Sequence, residues 1–288
     1  MVYVDDGSED GALGMFEEPA GYYQPEKQPT TVSHRTMNGQ ELILRLIGLS
    51  PLWFTKAVLW ETKRHTHGFG LKNDDEQTDT TKGHLLWNAG RTVADYLETN
   101  ASSLIQGKTV LELGAGAGLP SLICAMNDAR QVVVTDYPEA DLIENLRHNI
   151  STCSQLSSRS NICAEGYLWG APTNVLSSHL PATQHGQAFD LLILADLLFN
   201  HSEHSKLIST VQQTLKRSPN AQALVFFTPY RPWLLQKDIA FFGLAREGGF
   251  MVEHIFEHVL EKVMFEEDPG DELLRRTVFG YRLTWAPS

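Results

Sequence analysis

The segment from Val110 to Pro120, VLELGAGAGLP, sets glycines at 114, 116 and 118 directly after an apolar run and before a helix-compatible stretch. Glycines so placed let the main chain come close to a ligand and adopt conformations that other residues avoid. About twenty residues on, Asp136 closes a second apolar run in TDYP, where a carboxylate can accept both hydroxyls of a ribose. A tight turn and a turn aspartate are each ordinary alone. Together they point to a nucleoside-containing ligand.

A dinucleotide-binding turn needs its third glycine three positions after the second, where a pyrophosphate meets the helix N-terminus. Leu119 occupies that position. S-adenosylmethionine carries no phosphate and asks instead for close backbone approach with acidic groups nearby, which Gly114, Ala115, Gly116, Glu112 and Asp136 supply. The ribose carboxylate does not separate the two ligands, because NAD presents the same adenosine ribose. Trp169 in GYLWG ends a third run and is large enough to cover an adenine, although a core position serves a tryptophan equally well. Ala195-Asp196 ends a fourth run; the small Ala195 leaves room for a cofactor, and Asp196 is expected to face the reacting centre.

Such residues need a scaffold that ends several strands at one edge of a sheet. From Gly83 the chain alternates short apolar runs with helical patterns, the signature of βαβ units in an α/β, doubly wound, mostly parallel sheet of the Rossmann-like kind. Seven strands are expected, at Thr109–Leu113, Gln131–Thr135, Ile162–Leu168, Phe189–Leu194, Ala221–Phe227, Phe250–Leu260 and Thr277–Leu283. The run FDLLIL suits a strand buried on both faces. Helices are expected over Pro120–Asn127, Ala140–Ile150, Glu203–Leu215 and Lys237–Glu247, the first opened by its proline and the last closed by Gly248-Gly249.

Ahead of this region, Glu41–Leu49 reads as a further strand, and residues 1–36 read as an acidic leader without period. Residues 37–288 are expected to form one methyltransferase-type domain, interrupted by a polar insertion at about 54–82 that reads as a long exposed loop. His65 and His67 lie in that insertion beside Asp74 and Asp75 without a structured scaffold, so no metal site is expected. His201 and His204 in FNHSEH are expected to cap a helix or line an acceptor pocket.

Composition narrows the partners. Thirty-five acidic against 23 basic residues give a net charge of −12, which opposes nucleic acid and anionic membranes and favours a cationic guest. Three scattered cysteines, Cys124, Cys153 and Cys163, make neither a disulfide framework nor a CxxC site. No apolar run approaches the ~18 residues of a spanning helix, and no basic flank precedes an apolar core at the start, so a cytoplasmic location is expected.

Several stretches taken together resemble the seven-β-strand methyltransferases, and most closely the fungal elongation factor 1-alpha methyltransferase 7 family, formerly described as nicotinamide N-methyltransferase-like. They are SPLW at Ser50–Trp53, GHLLWNAG at Gly83–Gly90, VLELGAGAGLPS, TDYPEADLIENLRHN, GYLWG, ADLLFNHSEH and FFTPYRPWLLQKD, spanning nearly the whole chain from Glu41. One departure stands out: in the family SPLW runs almost directly into GHLLWNAG, whereas about thirty residues separate Trp53 from Gly83 here. The resemblance implies S-adenosyl-L-methionine as cofactor, held by Trp87, Gly114, Ala115, Gly116, Asp136, Trp169 and Ala195. It also implies an acceptor, the N-terminal glycine and adjacent lysine of translation elongation factor 1-alpha. Trp87 rests on the resemblance alone, since LLWNAG by itself reads as a core position of a leading helix.

Methyl transfer from a sulfonium is an in-line displacement, so alignment matters more than a strong base. Asp196 is therefore expected to orient the amine, and Phe199, Tyr230 and Trp233 to form an aromatic channel for a cationic chain. Three other functions compete: a nicotinamide-type small-molecule methyltransferase, an NAD-dependent oxidoreductase, which Leu119 opposes, and a catalytically inactive adaptor.

Overall fold

The expected alternation of strands and helices is borne out in the computed structural model, which describes residues 29–47, 86–181 and 188–287; the expected insertion at 54–82, with His65 and His67, lies outside them. In chain order the elements are a hairpin of β1 (Thr30–Arg35) and β2 (Glu41–Leu46), then α1 (Asn88–Thr99), β3 (Thr109–Leu113), α2 (Leu119–Met126) and β4 (Gln131–Asp136). There follow α3 (Ala140–Thr152), β5 (Ile162–Gly166), β6 (Leu191–Ala195), α4 (His204–Thr214), β7 (Gln222–Phe227), α5 (Leu235–Glu247), β8 (Phe250–Val259) and β9 (Thr277–Trp285). The order across the main sheet is β5-β4-β3-β6-β7-β9-β8, parallel from β5 to β7 and antiparallel at β9 and β8.

Two-residue periodicity splits the strands between two cores. Leu111, Leu113, Leu192, Leu194, Val225 and Phe227 point to the face covered by α4 and α5, where Leu207, Val211, Phe241 and Ala245 are buried. The alternate positions Val110, Val132, Leu191, Ile193, Leu224 and Phe226 point to the other face, against Ala89, Val93 and Leu97 of α1 and Leu119, Leu122 and Ile123 of α2. Every residue of β3 is buried, as a parallel strand covered on both faces requires. The chain leaves β3 toward β4 and β5 on one side and returns through β6 on the other. The reversal puts a crevice at the carboxyl ends of β3 and β6, the place where open α/β sheets bind ligands.

One expectation is corrected. Thr30–Arg35, assigned to the leader, is a strand that pairs antiparallel with β2 along its whole length. Its partner β2 turns Leu42, Leu44 and Leu46 inward, and Asn145 and Asn149, one turn apart on α3, bond its main chain at Arg45. A six-residue strand with mixed side chains carries little periodic signal until a partner strand is supplied. Trp87 also departs from the reading of LLWNAG alone: it precedes α1 with extended backbone rather than lying within the helix.

Candidate active site

The glycine turn joins β3 to α2, with φ of +60° at Gly114, +57° at Gly116 and +77° at Gly118. At Gly114 a Cβ would stand 2.6 Å from Leu197 Cδ2 and 3.3 Å from the Trp169 ring, so the backbone passes directly under these side chains. At Gly116 nothing lies within 4 Å of the same position, and the residue is exposed. The main chain is thus packed at one glycine and open at the other.

Two carboxyls brace this turn. Glu112, on β3, is buried, and its Oε2 accepts hydrogen bonds from the main-chain N–H and the hydroxyl of Ser121 in the first turn of α2. Burial pushes its pKa up to about 8, against the opposing effect of the Ser121 bonds. Glu112 therefore ties strand to helix rather than facing a ligand. Asp136, at the end of β4, accepts from Gly116 N–H at Oδ2 and from Tyr137 N–H at Oδ1, each at 2.7 Å. Desolvation raises its pKa, partly offset by these donors.

Around the end of β6 a second group forms. Asp196 has φ +54°, a left-handed conformation uncommon outside glycine that an aspartate tolerates better than most side chains. Its Oδ2 accepts from Ala89 N–H at 3.0 Å and its Oδ1 from Thr228 N–H at 2.8 Å. The Tyr230 hydroxyl donates to Oδ2 at 3.4 Å and accepts from Asn88 N–H at 3.2 Å. Trp87, which precedes α1, offers no capping side chain, so Asp196 and Tyr230 cap that helix from across the sheet. Burial raises the Asp196 pKa to about 7 against the effect of its three donors, and raises that of Tyr230 well above its ordinary value.

Trp87 and Tyr230 meet edge to face with ring centroids 5.1 Å apart, and Phe265 packs on both. Phe265 has no signal in the sequence: it is one aromatic in the polar run EKVMFEEDPG between the last two strands. Phe199 is partly buried, its carbonyl held by Arg231 Nη2 at 2.9 Å, whereas Trp233 is 58% exposed. Ala195, partly buried, is the last residue of β6 and directly precedes Asp196. His204 is buried with Nε2 2.8 Å from Leu198 O, and His201 pairs with Asp238 at 2.6 Å, so both histidines secure the loop after β6.

A seven-stranded sheet of this order with a glycine turn and an acid at the ends of its neighbouring strands defines the class I methyltransferase fold. The YcgJ protein of Bacillus subtilis shares it with a TM-score of 0.50 at 12% identity, over 68% of this chain and 99% of that one. A provisionally described SAM-dependent methyltransferase of Streptococcus mutans also matches, with a TM-score of 0.50 at 15% identity, over 90% of this chain and 57% of that one.

The lysine methyltransferase family model matches residues 67–246, and the chain belongs to that family. The chain is 47% identical over 274 residues to the protein N-terminal and lysine N-methyltransferase efm7 of Aspergillus fumigatus, covering 95% of this chain and 94% of that one. The protein of the same name in Schizosaccharomyces pombe is 40% identical over 276 residues, with 94% and 95% covered. The chain is an S-adenosylmethionine-dependent protein N-methyltransferase. The residues present fit that cofactor: Gly116 leaves its main chain open where a Cβ would stand, and the Asp136 carboxylate is held beside it. Among the described residues, no helix is long and apolar enough to cross a membrane.

Proposed function

We propose that this enzyme methylates the N-terminal glycine and the adjacent lysine of translation elongation factor 1-alpha in the cytoplasm. The observation that carries the reading is the placement, at neighbouring strand ends, of an open glycine turn with Asp136 beside an aromatic and carboxyl group built from Trp87, Tyr230 and Asp196. Fungal relatives described as protein N-terminal and lysine N-methyltransferases support it.

In this reading Gly114, Ala115 and Gly116 receive the methionyl part of the cofactor, Asp136 the ribose hydroxyls, and Trp169 the adenine, with Trp87 and Ala195 closing the pocket. Adenosylmethionine held there would supply an electrophilic methyl on a sulfonium, and the chain's own residues would align the acceptor amine with it. The Oδ1 atom of Asp196 accepts one hydrogen bond and keeps a lone pair with which to orient the amine. Phe199, Tyr230 and Trp233 guide the cationic chain, Trp233 from the exposed rim. An α-amino group, with pKa near ~8, reaches its neutral form more readily than a lysine near ~10.4, so alignment suffices for the first acceptor.

The test is incubation of the purified enzyme and adenosylmethionine with elongation factor 1-alpha bearing a free amino terminus, followed by mass-spectrometric mapping. Methyl groups on the terminal glycine and its neighbouring lysine are expected. Efficient methylation of nicotinamide with an untouched amino terminus would replace this substrate by a small molecule.

A further inference from the structure

Phe265 lies in the connection between β8 and β9, outside every motif that bears on the site. Its ring is edge-on to Trp87 and to Tyr230, with centroids 5.8 and 5.7 Å away. With the 5.1 Å contact between Trp87 and Tyr230, the three rings touch one another and leave no space for a guest between them. They make a wall, in which each ring restricts the orientation of the other two.

The connection that carries Phe265 is pinned at several points. The buried Arg275 donates from Nη1 to the Phe265 carbonyl at 2.7 Å, and Arg276 donates from Nη1 to the Leu260 carbonyl at 3.2 Å. Gly270, at φ +98°, passes so close to the Pro232 ring that a Cβ would stand 3.2 Å from it. Asp271 caps the one-turn helix Glu272–Arg275 through Leu274 N–H at 3.1 Å. These bonds determine where the Phe265 ring is delivered.

We infer that Phe265 is a positioning residue for methyl transfer, holding the Trp87 and Tyr230 rings in the orientation that the donor and acceptor require. The inference rests on the roles given to Trp87 and Tyr230 under Proposed function. Its action is indirect. Tyr230 donates to Asp196, which holds Ala89 at the start of α1, so a shift of the ring trio is transmitted to the carboxyl and to the helix start together.

The test compares Phe265→Ala and Phe265→Tyr with the parent enzyme in three measurements. These are calorimetric binding of S-adenosylhomocysteine, steady-state methylation of elongation factor 1-alpha, and the thermal midpoint. Phe265→Ala is expected to weaken S-adenosylhomocysteine severalfold and to lower kcat at least tenfold with the midpoint shifted by only a few degrees. Phe265→Tyr, which keeps the ring, is expected to restore most of both. Parental binding and kcat in Phe265→Ala would overturn the inference, and so would loss of binding only in step with unfolding in both variants. If the parent enzyme leaves the elongation factor untouched, the substrate reading fails, while the S-adenosylhomocysteine measurement still decides the role of Phe265.

Discussion

The Asp196 carboxylate accepts a hydrogen bond from Ala89 N–H at 3.0 Å, joining the end of β6 to the first turn of α1 across 107 residues of sequence. With the Thr228 N–H bond at 2.8 Å, one side chain holds three segments at the mouth of the crevice. Asp196→Ala leaves both N–H groups without this acceptor and is expected to cost about 2–4 kcal/mol. Denaturant unfolding should read this as a lower midpoint, and methyl transfer should fall at least tenfold. A variant as stable and as active as the parent would remove Asp196 from both roles.

Asp136→Ala is expected to weaken S-adenosylhomocysteine at least tenfold in calorimetry, because two charge-assisted acceptor positions for the ribose disappear. Its own partners are Gly116 and Tyr137 N–H groups at the exposed rim of the turn, which water can satisfy, so the unfolding midpoint should change little. Unaltered binding in the folded variant would mean that the ribose lies elsewhere.

The two glycines predict different failures. Gly114→Ala bears a positive-φ penalty of roughly 1–2 kcal/mol and also brings a Cβ within 2.6 Å of Leu197 and 3.3 Å of Trp169, which should cost about 1–3 kcal/mol more, together with cofactor binding. Gly116→Ala meets nothing within 4 Å and bears only the positive-φ penalty of roughly 1–2 kcal/mol. Binding of S-adenosylhomocysteine should nevertheless fall if, as proposed, the cofactor approaches the main chain at Gly116. Equal stability for the two variants in thermal unfolding would contradict the packing described at Gly114.

Glu112 gives a pH dependence. Its pKa rises from 4.5 to about 8 on folding, so the folded state favours the protonated carboxyl. That contribution is complete below the unfolded value near 4.5 and is lost as pH rises through about 8. Glu112→Gln keeps an acceptor for Ser121 without the charge. Its unfolding midpoint should fall less than that of the parent between pH 5 and pH 9; parallel curves would show that Glu112 does not titrate in this range.

Charge should also steer the acceptor. With a net charge of −12, the KM for a cationic protein tail should rise as added salt shortens the Debye length from ~10 Å to ~3 Å. Nicotinamide, being neutral, should show no such trend in the same assay.

Much of the fold was legible because its signals are local. The run VLELGAGAGLP declares a buried strand, a positive-φ turn and a helix opened near a proline, and TDYP marks the next strand end at Asp136. Near-continuous apolar runs located the central strands to within a few residues, since a parallel strand buried on both faces has little choice of composition. Resemblance brought in Trp87, which LLWNAG alone would have left in the core.

Tertiary structure decided what depends on partners distant in sequence. Thr30–Arg35 is a strand because β2 pairs with it, and β9 lies between β7 and β8 because a strand's neighbours are set by how the whole sheet closes. From the sequence, Asp196 reads as an acid that ends an apolar run and faces the reacting centre. Its work of holding Ala89, Thr228 and Tyr230 arises where three separate segments converge. Phe265 shows the limit most plainly: periodicity and turn chemistry act over a few residues, whereas its contact with Trp87 needs α1, the loop after β7 and the β8–β9 connection all in place.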